Sequence, residues 1–162
     1  MMDLAHQYEY FEKTSYSALI EKLIKEQGQE VCRNVIGRDF IVNKTKEYDF
    51  GFIHKTPMAQ IGKTRTKKNS DRVSSFVFCK MFPDFGEIDV TLLCSRPTIR
   101  DGKLLMKWVK EKAVSLGYRY LSLLSIGDDK VMKWYQSIGF VLISEKLYPD
   151  GVLKAYSMKK KL

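Results

Sequence analysis

The stretch from Arg96 to Phe140 constrains the fold more than any other part of the chain. It opens with a basic turn that contains Gly102, and the apolar residues after this turn recur at spacings of three and four: Leu104, Leu105, Trp108, Val109, Ala113 and Leu116. That spacing places one apolar stripe along a helix of about four turns. Gly117 ends the helix, because glycine takes the left-handed conformation at a helix C-terminus without a Cβ clash.

A strand and a second helix complete this stretch. Residues 120–126 form an apolar run of strand length bounded by Gly127, and Asp128 and Asp129 can cap the helix that follows. Because a strand is also expected over Glu87–Cys94, the order is strand, helix, strand, helix. Two neighbouring strands joined by such a helix are parallel, and the crossover is right-handed.

The residues at fixed spacings in this stretch resemble the acetyl-CoA-binding core of the GNAT superfamily of N-acetyltransferases. In that family a strand leads into a loop of pattern Q/R-x-x-G-x-G/A, and Gly102 matches the second glycine. Leu105, Ala113 and Gly117 fall where the family helix commonly has these residues. The resemblance covers roughly residues 86–158. The family's later pattern, N-x-x-A-x-x-x-Y-x-x-x-G-F, is matched at Asp128, Val131, Tyr135, Gly139 and Phe140.

The chain departs from the family pattern at three positions. Arg100 stands at the first loop glycine, Pro97 stands at the leading Gln/Arg position with Arg96 beside it, and Asp128 replaces the usual asparagine. If the backbone at Arg100 must be left-handed, a residue with a side chain costs about 1–2 kcal/mol there. The combination of loop, helix, strand and Tyr-x-x-x-Gly-Phe is more specific than any one part.

The resemblance implies a single α/β acyl-CoA N-acyltransferase domain over residues 1–162, with its cofactor-binding core at about 86–140. The implied fold is a mixed, mostly antiparallel sheet with a splayed parallel central strand pair and helices on both faces. The implied reaction moves an acetyl group from acetyl-CoA to a primary amine by direct attack in a ternary complex. No Cys–His or Ser–His pair is evident that would support a covalent intermediate.

The resemblance also assigns roles to individual residues. The turn at the helix N-terminus would hold the coenzyme pyrophosphate with backbone amides, while Arg96, Arg100 and Lys103 supply positive charge. Tyr135 would donate to the departing thiolate, although a core tyrosine with a satisfied hydroxyl is the alternative. Glu87 is assigned as general base; Asp89 and His54 are the other candidates. The predicted coenzyme contacts are Leu92, Leu93 and Cys94 on the strand, Arg100, Asp101, Gly102, Lys103 and Leu104 at the turn, and Asp128.

Composition limits the function classes. Net charge is +9 from 28 Lys+Arg and 19 Asp+Glu, which favours acidic partners such as a phosphorylated coenzyme, an acidic acceptor or nucleic acid. No apolar run approaches the roughly 20 residues of a membrane span, and the N-terminus is not a signal peptide. We therefore expect a cytoplasmic protein, not bound to a membrane. The three cysteines lack CxxC spacing or a nearby histidine, so we expect free thiols and no metal site.

The rest of the chain is predicted element by element. We expect a helix over 14–28, a short helical piece over 29–35, and a hairpin of strands at 39–44 and 48–55. Further strands are expected at 74–82 and 87–94, and a final hairpin at 141–145 and 152–158, with Lys159–Lys161 as a solvated tail. Residues 1–13 fit either an edge strand or the start of a helix.

Two other functions stay open. Residues 55–72 carry six basic side chains against Asp71 and are most simply a solvated loop, but they also fit an acceptor amine linked to nucleic acid, in a modified base or an aminoacyl-tRNA. Arg100 and Asp128 fit a non-catalytic binding module that keeps the GNAT fold. A homodimer is open as the oligomeric state.

Overall fold

The structure is a computed structural model of the 162-residue chain, and it describes residues 7–33, 35–57, 71–126, 129–147 and 154–162. Four α-helices and seven strands lie in this part of the chain. The helices are α1 (Ala18–Val31), α2 (Arg38–Glu47), α3 (Gly102–Ser115) and α4 (Asp129–Ser137). The strands are β1 (Gln7–Glu12), β2 (Phe50–Pro57), β3 (Asp71–Phe82), β4 (Glu87–Ser95), β5 (Tyr120–Ile126), β6 (Val141–Leu147) and β7 (Lys154–Lys161).

The seven strands form one sheet in the order β1-β2-β3-β4-β5-β7-β6. β4 and β5 are parallel, and their paired residues run from Glu87 opposite Tyr120 to Val90 opposite Leu123. β1–β2, β2–β3, β5–β7 and β6–β7 are antiparallel. The predicted mixed, mostly antiparallel sheet with a central parallel pair is confirmed.

The chain divides into two compact units. The first holds the residues up to Cys79 together with Leu92–Leu105, and the second holds Lys80–Thr91 and the residues from Met106 onward. In the first unit a continuous core includes Phe11 of β1, Ile24 and Val31 of α1, and Phe76 and Phe78 of β3. Thr14 caps the 3-10 turn that leads into α1, with reciprocal hydrogen bonds to Ser17.

The second unit buries apolar positions of β5 and α3, whereas the residues of β6 are exposed. Leu121 and Leu123 of β5 are buried at alternate positions, as a half-covered strand requires. Val109 and Ala113 of α3 are also buried, which confirms the central part of the predicted stripe, whereas Leu116 is exposed. Gly117 ends α3 in the left-handed region with φ +84°, as predicted.

The predicted strand over 39–44 is wrong, because these residues belong to helix α2. The run Phe40-Ile-Val has strand propensity, but Ile41 and Thr45, four residues apart, are the buried positions. Ile41 packs against Gly28 of α1, where an added Cβ would lie 3.1 Å from the isoleucine side chain. Packing against α1 therefore decides the conformation of α2.

The helix over 14–28 is confirmed as a 3-10 turn followed by α1, although Tyr16 and Leu19 are exposed.

The expectation of free thiols is wrong for two of the three cysteines. Cys32, at the end of α1, and Cys94, near the end of β4, form a disulfide with a sequence separation of 62. Cys79 is buried and is not part of a disulfide. Spacing along the chain did not reveal the pair, because only the fold brings α1 beside the end of β4. A cross-link over a loop of this length stabilises a fold by about 2–4 kcal/mol, mainly by restricting the unfolded chain.

The C-terminal lysines are not a solvated tail. β7 runs to Lys161, and Lys160 donates a hydrogen bond to the carbonyl oxygen of Ile138 at the end of α4 (2.7 Å). β1 forms the edge of the sheet, which settles the open alternative for residues 7–12 in favour of a strand. Most of the basic segment 55–72 and the residues that join the two strands of the predicted final hairpin lie outside the described residues.

Candidate active site

A tight turn joins β4 to α3 at the position predicted to hold pyrophosphate. The amide of Ile99 donates to the carbonyl oxygen of Arg96 at 3.0 Å, and Arg100 follows with φ +53°, in the left-handed region. The backbone at Arg100 is therefore left-handed, which is the case in which a side chain at this position was expected to be unfavourable. A residue with a side chain occupies a backbone conformation that favours glycine, at a strain of about 1–2 kcal/mol.

The first turn of α3 presents backbone amides that the helix itself does not use. The first helical hydrogen bond runs from the amide of Leu105 to the carbonyl oxygen of Asp101 at 3.0 Å. The amides of Gly102, Lys103 and Leu104 precede that bond and so lie outside the helical ladder. Together with the partial positive charge of the helix N-terminus, three such amides form a group of donors suited to an anion.

Arg96 does not serve as a countercharge at this turn. Its side chain is buried, its Nε donates to the carbonyl oxygen of Val73 (2.7 Å), and its Nη1 pairs with Glu30 (2.6 Å). The guanidinium thus ties the end of β4 to β3 and α1. Arg100 and Lys103 are exposed and remain the predicted positive groups beside the turn.

Asp101 directs its carboxylate into the protein. Oδ2 lies 2.8 Å from His54 Nδ1 and accepts a hydrogen bond from Ser75 (2.7 Å), while Oδ1 accepts one from Ser95 (3.0 Å). Burial alone would raise the pKa of this carboxyl, but the hydrogen bonds from the three side chains outweigh burial and lower the pKa. Asp101 is therefore an ionised, buried group, and its backbone is the part that lies along the turn.

Tyr8 covers this buried group from β1. Its ring stacks on the His54 imidazole with centroids 4.1 Å apart, and Tyr8 and His54 are directly opposite each other in the β1–β2 pair. Partial burial, followed by the charge and hydrogen bonding of Asp101, raises the pKa of Tyr8 to about 12. The phenol therefore stays protonated at neutral pH.

The predicted strand contacts lie close to this turn in the sequence. Leu92 and Cys94 are buried and Leu93, between them, is half-buried, so the two faces of β4 alternate up to the turn. The Cys94 sulfur is used in the disulfide, so any coenzyme contact at this residue would come from its backbone.

Tyr135 and Glu87 lie in the second unit and are described separately. Tyr135 is buried on α4, with its ring 5.0 Å from Trp134 and 5.7 Å from Phe140. Burial raises its pKa to about 12, so the phenol is a hydrogen-bond donor at neutral pH. Its assignments as proton donor or as core residue both remain predictions.

Glu87 carries an ion pair that a free general base would not have. Its carboxylate lies 2.8 Å from Lys159 Nζ, and this hydrogen bond and the carboxylate charge raise the pKa of the lysine. Glu87 also stands at the first pair of the parallel β4–β5 ladder. Ligands of parallel strands commonly sit at the opposite, carboxyl ends. The role of Glu87 stays a prediction, and this geometry does not favour it.

Solved structures with a similar fold include those of acetyltransferases. An acetyltransferase assigned to the GNAT family from Desulfovibrio desulfuricans is 12% identical, with a TM-score of 0.63 over 97% of this chain and 99% of that chain. Ard1 from Thermoplasma volcanium is 17% identical, with a TM-score of 0.65 over 98% and 99%. An aminoglycoside 6'-N-acetyltransferase complexed with coenzyme A is 10% identical, with a TM-score of 0.65 over 94% and 96%.

The chain has the GNAT fold. Comparison of the sequence with protein-family models and with curated proteins finds no match. No helix in the described part of the chain has the length and hydropathy to cross a membrane. Within the same residues, no group of three or more His, Cys, Asp and Glu side chains is placed to hold a metal ion.

The fold brings His54 and Asp101 into contact, although no pattern in the sequence pairs these two residues. Asp101 was predicted at the turn and His54 was considered alone as a base, but Ser75 and Ser95 were not identified. The available signal was the presence of polar residues in strands that are otherwise apolar, at His54 in β2 and Ser75 in β3. Asp128, the predicted contact before α4, lies outside the described residues.

Arg100→Gly should stabilise the protein by about 0.5–1 kcal/mol. The substitution removes about 1–2 kcal/mol of left-handed strain and loses about 0.4–1 kcal/mol through the greater freedom of glycine in the unfolded chain. Urea unfolding of both proteins measures the difference. Lys103→Gly is the matched control, because the same change inside the first turn of α3 should destabilise. A loss of stability in Arg100→Gly would show that the left-handed backbone is not strained.

Proposed function

We propose that the protein is an N-acetyltransferase that moves an acetyl group from acetyl-CoA to a primary amine. The observation that carries the proposal is the turn at 100–104, where three amides of the first turn of α3 lie outside the helical ladder directly after the left-handed Arg100. The GNAT fold supports the reaction class. The coenzyme A in the structure of the aminoglycoside 6'-N-acetyltransferase supports the donor.

The roles of the residues follow from their chemistry. The amides of Gly102, Lys103 and Leu104 bind the pyrophosphate, and the exposed side chains of Arg100 and Lys103 add positive charge. The backbone of Leu92, Leu93 and Cys94 pairs with the pantetheine amides as an added strand would. The coenzyme is then held mainly by main-chain groups, which do not depend on the missing loop glycine.

Tyr135 assists the departure of the coenzyme thiolate when the amine has attacked the thioester carbonyl. A phenol of pKa about 12 is a weaker acid than a thiol of pKa near 8.5, so complete proton transfer to sulfur is uphill. Tyr135 therefore contributes a hydrogen bond to the sulfur as negative charge develops there. The nitrogen becomes an ammonium when the neutral amine has added to the carbonyl, and this ammonium supplies the proton to the thiolate as the C–S bond breaks.

A nucleic-acid-linked amine is the second candidate acceptor, and the net charge of +9 favours it. Acceptor affinity that falls steeply with rising salt would support a nucleic-acid acceptor, and affinity that hardly depends on salt would favour a small amine.

Acetyl-CoA should bind the folded protein through the turn. At about 100 times its dissociation constant, a ligand of the folded state adds about 2.7 kcal/mol of stability, which a thermal melt detects. Gly102→Glu should abolish this shift, because it places a negative charge and added bulk against the pyrophosphate. Ser115→Glu is the matched control, since it adds the same charge at the far end of α3.

The outcomes of this binding test distinguish an acetyltransferase from a non-catalytic binding module. No melting shift and no heat of binding with wild-type protein would contradict the proposed function. Binding of acetyl-CoA without transfer to any amine in a broad panel would favour the non-catalytic module instead.

Tyr135→Phe should lower turnover by about two orders of magnitude, within the range typical of positioned acids, and leave coenzyme affinity nearly unchanged. The substitution removes only the hydroxyl, so the ring can keep its contacts with Trp134 and Phe140. Steady-state kinetics with Tyr118→Phe as control measures the effect. Normal turnover combined with a lower melting temperature would make Tyr135 a core residue.

A further inference from the structure

Both the carboxylate and the carbonyl oxygen of Asp101 accept hydrogen bonds from other residues of the first unit. Its carboxylate contacts one side chain from each of three strands: His54 of β2, Ser75 of β3 and Ser95 of β4. Its carbonyl oxygen accepts the amide of Leu105, the first hydrogen bond of α3. Side chain and backbone of one residue therefore fix where the helix begins.

The hydrogen bonds of Arg100, in the turn that precedes Asp101, are long. Its amide lies 3.4 Å from the carbonyl oxygen of Arg96, and its exposed side chain donates from Nε to the carbonyl oxygen of Pro97 at 3.3 Å. Arg100 is also in the left-handed region. The direction of the next amides, at Gly102, Lys103 and Leu104, thus depends on Asp101.

The orientation of the Asp101 carboxylate also affects whether an anion can bind at the N-terminus of α3. A carboxylate turned outward at a helix N-terminus would occupy the amides and repel a phosphate. The hydrogen bonds from His54, Ser75 and Ser95 hold the carboxylate inward, with Asp101 only 8% exposed and His54 only 2% exposed. The stacked Tyr8 ring covers His54 from the β1 side.

We propose that Asp101 is a positioning residue for the coenzyme, and that His54, with Ser75 and Ser95, holds its carboxylate inward so that the amides at 102–104 face the pyrophosphate. The inference rests on the proposed function, because it states how that site is kept open for its anion. It assigns to His54 a role in coenzyme affinity, separate from any role as the base that deprotonates the amine.

Two substitutions of His54 test this role. His54→Phe keeps a ring to stack on Tyr8 but removes the donor to Asp101, and it should weaken coenzyme A binding about 10-fold or more. His54→Asn keeps a side-chain N–H near the position of Nδ1 and should recover most of the affinity. Calorimetry with coenzyme A, well below the melting temperature of each variant, gives the dissociation constants.

Ser95→Ala and Ser122→Ala form a matched pair. Each serine donates from a strand to a carboxylate, Ser95 to Asp101 at 3.0 Å and Ser122 to Asp89 at 2.9 Å, but only Ser95 contacts the turn residue. Ser95→Ala should weaken coenzyme A binding and Ser122→Ala should not. Equal affinity of wild type and His54→Phe, or an equal loss in both serine variants, would overturn the inference.

Hydrogen exchange at the Leu105 amide separates this inference from the proposed function. The amide is bonded to the Asp101 carbonyl oxygen, so it should exchange faster in His54→Phe than in wild type, with or without coenzyme. If wild-type protein binds no coenzyme A, the proposed function fails, and unchanged exchange at Leu105 would overturn the positioning role itself.

Discussion

The attachment of Asp101 to three strands is the interaction on which the candidate site depends. An Asp carboxylate buried without partners would be destabilising, but here it accepts hydrogen bonds from His54, Ser75 and Ser95 and remains ionised. Because Asp101 also accepts the first hydrogen bond of α3, the same residue joins the sheet to the helix N-terminus. The geometry of the turn is therefore set from inside the protein, without the glycine that GNAT loops usually carry.

Other contacts in the first unit hold the same end of β4. The disulfide from Cys94 reaches the end of α1, and the Arg96 guanidinium binds Glu30 of α1 and the backbone of β3. These contacts employ a cysteine that we expected to be free and an arginine that we expected at the phosphate. The end of β4 is thus fixed by covalent, ionic and hydrogen-bond links, which gives a strained residue at Arg100 a rigid frame on its N-terminal side.

The sequence predicted elements whose signals are local and could not predict those that depend on packing. Periodicity and glycine placed α3, β5 and α4, because the stripe ending at Gly117 and the run from Tyr120 to Ile126 need no tertiary information. α2 was predicted as a strand, since the burial of Ile41 against Gly28 decides its conformation. The contact between His54 and Asp101 joins residues 47 apart, and the disulfide joins residues 62 apart. Such pairs become visible only when the strand order is known.

The central claim is that the amides at the start of α3 bind the coenzyme pyrophosphate. The most direct measurement is a titration of ¹⁵N-labelled protein with coenzyme A, followed by the backbone amide signals in a two-dimensional NMR spectrum. The account predicts that the signals of Gly102, Lys103 and Leu104 move most and saturate together, with smaller changes at Leu92 and Leu93. Saturable binding that leaves these three amide signals unmoved would contradict it.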